Sequence, residues 1–231
     1  KDLAFAAKGA ALKGINILGT GDCLHEKWLA HLKENLEPAE DGLFLLRRDM
    51  PWHVSTGERE PRFLLQTEII FTVPQILNPK KRQSWHAIFL FPSYKEVEQV
   101  QNLFKKWKVL NTIGRPFVTC QTTIELQEKI AAVLDTSDLT EIILAHILTN
   151  NGFFGNVSQN SHFLDTLGKE LTQRINLVET GLSADPKLLE LVPELESKTW
   201  VSFSDSHSGR LHRVGRELTV IEKKSLPSQH W

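Results

Sequence analysis

Val201-Ser202-Phe203-Ser204-Asp205-Ser206-His207-Ser208 is the stretch on which the reading of this chain turns. An apolar, strand-like run delivers an aspartate and a histidine two residues apart. Alternate side chains of an extended segment share a face, so the spacing predicts a pair able to grip neighbouring metal ions. One D-x-H step is weak evidence alone. Four further segments repeat the theme of an apolar run meeting a carboxylate or an imidazole. Ile15–Leu18 leads to Asp22 and His25, Phe63–Gln66 leads to Glu68, His86 opens Ala87–Phe91, and Ile142–Leu144 leads to His146. Donor-type residues at strand ends predict a shared site at one rim of a barrel.

Working outward, helical periodicity and capping signals predict helices over about 2–12, 26–36, 94–108, 123–134 and 163–174, and another from Pro186 to about Leu195. Strands are expected over about 15–18, 63–73, 86–91, 141–147, 175–179, 199–204 and 217–222. About seven strands alternating with helices predict an α/β fold, a distorted (β/α)7, TIM-like barrel, with the chain 1–231 as a single domain. The polar stretch 37–61, with Pro38, Pro51, Gly57 and Pro61, reads as a long insertion loop. The opening Asp2-Leu3-Ala4-Phe5-Ala6-Ala7 reads as a helix already under way, so native residues, including a first strand, are expected upstream.

A formal net charge of −1 excludes a globally basic nucleic-acid coat but leaves room for a local basic groove. Cys23 and Cys120 are the only cysteines, too few for a disulfide framework or a thiolate zinc site, and a reducing, cytoplasmic setting follows as the default. No apolar run approaches the roughly 20 residues of a membrane helix.

Asp22, His25, Glu68, His86, His146, Asp205 and His207 are the expected metal ligands, with Asp205, His207 and Glu68 closest to catalysis. For any one of these positions an ordinary hydrogen-bonded side chain is the simpler account. Seven at element ends favour a common site. Imidazoles with carboxylates suit zinc first, with manganese, iron or magnesium as alternatives, and a residue such as Glu68 can bridge two ions. Basic residues flank the expected mouth. Arg115, Arg210, Arg213 and Arg216 are candidates for phosphate or DNA contacts, the last three being balanced between that role and a solvated surface. Lys80, Lys81 and Arg82 read as a solvated loop. Phe153 and Phe154 suit stacking on an unpaired base, but packing is their default. The remaining histidines, His31, His53, His162, His212 and His230, do not fit the pattern.

The order of these residues resembles the PHP (polymerase and histidinol phosphatase) superfamily of metal-dependent phosphoesterases, and within it the catalytic domain of endonuclease Q. The resemblance rests on Leu12-Lys13-Gly14-Ile15-Asn16-Ile17-Leu18-Gly19-Thr20-Gly21-Asp22, Gln66-Thr67-Glu68, Gly114-Arg115-Pro116, Ala145-His146, Glu179-Thr180-Gly181-Leu182-Ser183-Ala184-Asp185-Pro186, Ser204-Asp205-Ser206-His207-Ser208 and Gly215-Arg216-Glu217. It implies a barrel holding up to three divalent ions. Glu68 would bridge two, with His86 and His146 on one and Asp205 on the other, while His25 and His207 serve a third; Asp22 matches the motif as ligand or orienting group. It further implies cleavage of the DNA backbone beside a deaminated or missing base. The family's opening H-x-H pair would lie about twenty residues upstream of the first helix. The expected function is therefore a divalent-metal-dependent phosphodiesterase, a nuclease acting on DNA, with a fused region or partner subunit aiding recognition. A phosphatase of small phosphate monoesters is the alternative enzyme, and a metal-poor regulatory domain of a larger assembly the alternative from another class.

Overall fold

A computed structural model describes residues 2–49, 60–113, 115–156, 162–182 and 184–222, with the backbone alone at Arg115 and Asn156. Two long strands organise it. β4 (Arg62–Pro74) and β5 (Arg82–Phe91) pair antiparallel from Leu65↔Phe91 to Pro74↔Arg82. The turn between them is short, and a bond from Gln75 N–H to the Lys81 carbonyl closes it. Strict alternation sets their faces. The odd-numbered Phe63, Leu65, Ile69, Phe71, Trp85, Phe89 and Phe91 are buried, whereas Gln66, Glu68, Ile70, His86 and Ile88 on the other face are half-buried.

The remaining strands extend this pair. β1 (Ile17–Gly19) and β7 (Arg115–Thr119) lie parallel to β4, and β3 (Leu43–Leu46) lies antiparallel to its start. β2 (Leu36–Pro38) pairs with β3, and β6 (Leu110–Thr112) with β7. Beyond β5 the order continues to β8 (Glu141–Leu144), antiparallel, then β9 (Leu177–Glu179) and β10 (Thr199–Val201), both parallel to their predecessors. Among the described residues the result is a ten-stranded mixed sheet, curled into a half-barrel.

The helices are α1 (Leu3–Leu12), α2 (Glu26–Asn35), α3 (Tyr94–Lys106), α4 (Thr123–Leu134), the single turn α5 (Phe153–Asn156) and α6 (Phe163–Arg174). Their starts are written in the sequence. The Asp2, Ser93 and Thr122 side chains accept from Phe5, Lys95 and Glu125 N–H groups respectively. α3, α4 and α5 pack on the odd-numbered face, where the rings of Trp85, Phe153 and Phe163 meet in sequence, edge-on and then tilted, at centroid separations of 5.5 and 4.9 Å. That leaves the even-numbered face as the concave one.

Several expectations are corrected. The barrel of seven parallel β/α units is replaced by a partial, mixed one, because the β4–β5 connection is too short for a helical crossover and forces an antiparallel pair. The stretch 37–61 is not all loop: β2 and β3 form a hairpin that buries Phe44 and Leu46, while residues 50–59 fall outside the described set. The hairpin β6–β7 replaces a simple turn, and its Gly114 is likewise outside. Two 3-10 turns, Pro186–Leu191 and Pro193–Leu195, stand where one helix was expected. No strand forms over 217–222; Thr219 instead pins this segment by exchanging hydrogen bonds with the Ser202 backbone.

The correction nearest the site concerns β10, which stops at Val201. Ser202 to Ser208 joins no strand, and Asp205 adopts φ 43°, a left-handed conformation uncommon for a non-glycine residue. The shared-face argument for Asp205 and His207 therefore does not hold.

Candidate metal centre

Three strands place three donors. Glu68 lies mid-way along β4 on the concave face, and His86 lies on β5, whose partner across the ladder is Ile70. His146 follows β8 by two residues. One ligand atom from each of Glu68, His86 and His146 falls within 4.8 Å of the others. His86 Nδ1 is 2.5 Å and His146 Nε2 3.4 Å from the same oxygen, Glu68 Oε1, and the two imidazole rings meet edge to face at 5.0 Å.

Burial pushes the Glu68 carboxyl up, but hydrogen bonds with His146 and His86 outweigh it and bring its pKa down to about 2. For His146, burial acts to lower the pKa. The hydrogen bond and charge of Glu68, aided by Glu179 and Asp205, reverse this and leave it raised.

His146 is held by a cradle of its own. Its backbone has φ 32°, and its N–H donates to the Glu179 carboxylate at 2.6 Å. The Thr149 hydroxyl lies 3.0 Å from both His146 Nδ1 and the His146 carbonyl. A hydroxyl that donates to the carbonyl accepts from Nδ1–H, which turns Nε2 toward Glu68, where it donates to the carboxylate as N–H and offers a lone pair only once that proton is lost to a metal. Gly181, at φ 76°, closes the cradle: a Cβ there would stand 2.8 Å from His146 Cβ. Glu179 is almost wholly buried, and burial, reinforced by Asp205 and Glu68, raises its pKa although His146 opposes the shift.

Glu179 had no assigned role in the sequence reading beyond the motif containing it. The available signal was the one used for the other donors, a carboxylate ending an apolar strand.

The other expected ligands are not members of that 4.8 Å cluster. Asp22 is buried at φ 52°, in a loop that runs along β4 through a bond from Cys23 N–H to the Gln66 carbonyl. His25 caps α2 without a side-chain capping bond, and its buried Nδ1 has no partner among the described residues. Asp205 is near enough to His146 and Glu179 to influence their ionisation, but it is not in the 4.8 Å cluster. His207 turns outward: its side chain is 81% exposed, and its Nδ1 lies 3.1 Å from the Asp205 carbonyl.

Arg210 and Arg213 are exposed, and Arg216 donates to the Ser204 carbonyl at 2.7 Å, bracing the loop that carries Asp205. The Arg115 side chain is outside the described set; its backbone begins β7. Arg82 is exposed but opens β5 rather than lying in a loop. Its guanidinium donates to the Thr72 and Cys120 carbonyls at 2.8 and 2.6 Å, clipping β5 to its neighbours. Phe153 is fully buried and Phe154 packs against it, so both serve the core. His53 and His230 lie outside the described residues.

Two imidazole nitrogens and a carboxylate oxygen form a donor set suited to a divalent cation, and three donors leave further coordination positions to non-protein ligands. The orientation of Nε2 by Thr149 fits that assignment.

The same fold occurs in endonuclease Q bound to a 27-mer duplex with an abasic lesion at its active site. The match has a TM-score of 0.68 and 27% identity over 92% of this chain. This chain is similar to endonuclease Q. The lesion-specific endonuclease of that type from Pyrococcus furiosus matches equally well, with a TM-score of 0.68 and 26% identity over 93% of the chain. In both cases the chain spans 46% of the neighbour's length. An uncharacterised protein of Methanocaldococcus jannaschii is 47% identical over 47 residues, 20% of this chain and 6% of that protein. No protein-family model matches. No helix among the described residues is long and apolar enough to cross a membrane.

Proposed function

We propose that this chain is the metal-binding portion of a nuclease, a PHP-type phosphodiesterase that cuts the backbone of DNA at a damaged base. The observation that carries the reading is the convergence of Glu68, His86 and His146 on the open concave face of a fold similar to endonuclease Q. DNA is the proposed substrate, by analogy with the duplex held by that neighbour.

When bound, a divalent cation supplies Lewis acidity toward a phosphoryl oxygen and a nucleophilic water. Glu68, held ionised by its two imidazoles, provides the anionic ligand. His146 contributes Nε2 in the tautomer that Thr149 selects, and His86 contributes the second imidazole. Asp205, beside this trio, is proposed as a ligand for a further ion, with Asp22, His25 and His207 able to complete up to three sites. Arg115, Arg210 and Arg213 are the proposed phosphate contacts. Arg216 holds the Asp205 loop in the form described.

The test is cleavage of labelled single- and double-stranded DNA, intact or carrying one abasic site or deaminated base, with added zinc, manganese or magnesium. A panel of phosphomonoesters runs alongside. Metal-dependent nicking near the lesion, abolished in Glu68→Gln and His146→Ala, is the expected result. Turnover of monoesters without any DNA cleavage would replace this reading with the phosphatase one.

A further inference from the structure

The strand register carries a feature that the cleavage chemistry does not use. Leu110 pairs with Phe117, Phe117 with Ile70, and Ile70 with His86. Residues paired across neighbouring strands share a face, so these four form one transverse row on the concave side. His86 belongs to the metal centre, and the other three make an apolar ramp leading away from it. Adjacent strands are about 4.8 Å apart, which puts Phe117 about 10 Å and Leu110 about 14 Å from His86.

The ramp is open. Phe117 is 40% and Leu110 72% exposed. Single exposed apolar residues are ordinary on protein surfaces, but an aromatic and a leucine aligned with a candidate metal ligand are not scattered singles. The outer end of the row runs into a groove of about 330 Å³ lined by Trp107, Lys108, Leu110, Phe117, Thr119 and Lys129. The Lys129 ammonium lies 5.6 Å from the Trp107 ring centroid and is held by Glu125 and the Thr119 carbonyl. Lys108, just past α3, is exposed with φ 56°. With Lys129 neutralised by Glu125, the exposed Lys108 is the cation at the edge of this aromatic and aliphatic floor, which complements a planar, apolar base joined to an anionic phosphate.

We infer that the Ile70–Phe117–Leu110 ramp seats an unpaired base of the cleaved strand, with Lys108 facing its phosphate. The inference rests on the proposed nuclease function and gives it a second contact, one or two nucleotides from the metal centre.

The experiment measures binding of the whole chain to fluorescein-labelled single-stranded DNA containing one abasic site, by anisotropy in EDTA so that no cleavage occurs. Phe117→Ala should weaken binding by at least about five-fold, the loss of one stacked base. Zinc stoichiometry and hydrolysis of bis(p-nitrophenyl) phosphate should not change. Lys108→Asn, which tolerates the left-handed backbone, should lower the slope of log K against log salt by about 0.7. An unchanged affinity in Phe117→Ala, with the unaltered chain binding DNA, overturns this inference alone. Failure of the unaltered chain to bind DNA overturns the functional proposal, and this one with it.

Discussion

Replacing Glu179 with alanine removes the acceptor that fixes the His146 backbone. The bond is 2.6 Å long and its carboxylate is 2% exposed, so no solvent substitutes for it. An unpaired buried N–H costs about 1–3 kcal/mol, with charged acceptors toward the upper end. At about 2–4 °C per kcal/mol for a chain of this size, Tm should fall by about 5–10 °C. A second effect falls on the metal. His146 holds φ 32° against its ordinary preference, and without the Glu179 clamp its imidazole loses its bearing on Glu68. Loss of such an outer partner typically weakens metal binding by about 10–100-fold. Glu179→Gln keeps an acceptor of the same length and gives up only a charge that burial already disfavours. It should recover more than half of both losses. Thermal melting of the metal-free protein and zinc competition against a chromophoric chelator measure the two quantities. An alanine variant melting within about 1 °C of the unaltered chain, with zinc affinity within two-fold, refutes the cradle.

Three further outcomes are expected. Metal-free stability should peak between the unfolded values of Glu68 and His146, 4.5 and 6.5. The lowered Glu68 pKa contributes above 4.5 and is lost toward about 2, whereas the raised His146 pKa contributes below 6.5 and is lost as pH rises through its folded value. Zinc needs the neutral imidazole, so the loaded protein should show the opposite preference near neutrality; denaturant titrations at pH 5.5 and 8 with and without zinc decide it. Gly181→Ala adds a left-handed alanine, costing about 1–2 kcal/mol, and a clash with His146. It should therefore depress zinc affinity as well as Tm, and a change in Tm alone would sink that reading. Arg82→Ala should lower Tm by several degrees through loss of its two carbonyl bonds and leave DNA affinity unchanged. A large loss of DNA affinity at constant Tm would instead make Arg82 a phosphate contact.

β4 and β5 were legible as strands because period-two alternation persists through both and prolines fall in the turn, and with them Glu68 and His86 as donors on apolar runs. Their antiparallel pairing was not legible, because alternation carries no strand direction or register. His146 was legible as a donor at a strand end, but its left-handed backbone was not, because that conformation depends on Glu179, Thr149 and Gly181 arriving from elsewhere. Asp205 and His207 show where local pattern misleads. The apolar run before them looks like a continuing strand, yet the serines and the reversal at Asp205 end it early. The hairpins β2–β3 and β6–β7 were hidden because their strands are only three to five residues long. Such short runs carry too little alternation to outweigh nearby proline and glycine signals.

The hairpin made by β4 and β5 also bears on the order of assembly. Glu68 and His86 are 18 residues apart in the chain, and closing one local loop brings them together. His146 must await β8, and its clamp must await β9. A nascent chain therefore presents a two-point cation grip well before the third donor docks. A slip of one residue in that single ladder would turn its two donors to opposite sides of the sheet. Insertions and deletions between Pro74 and Arg82 are thus constrained by the chemistry on the far side of the strands they join.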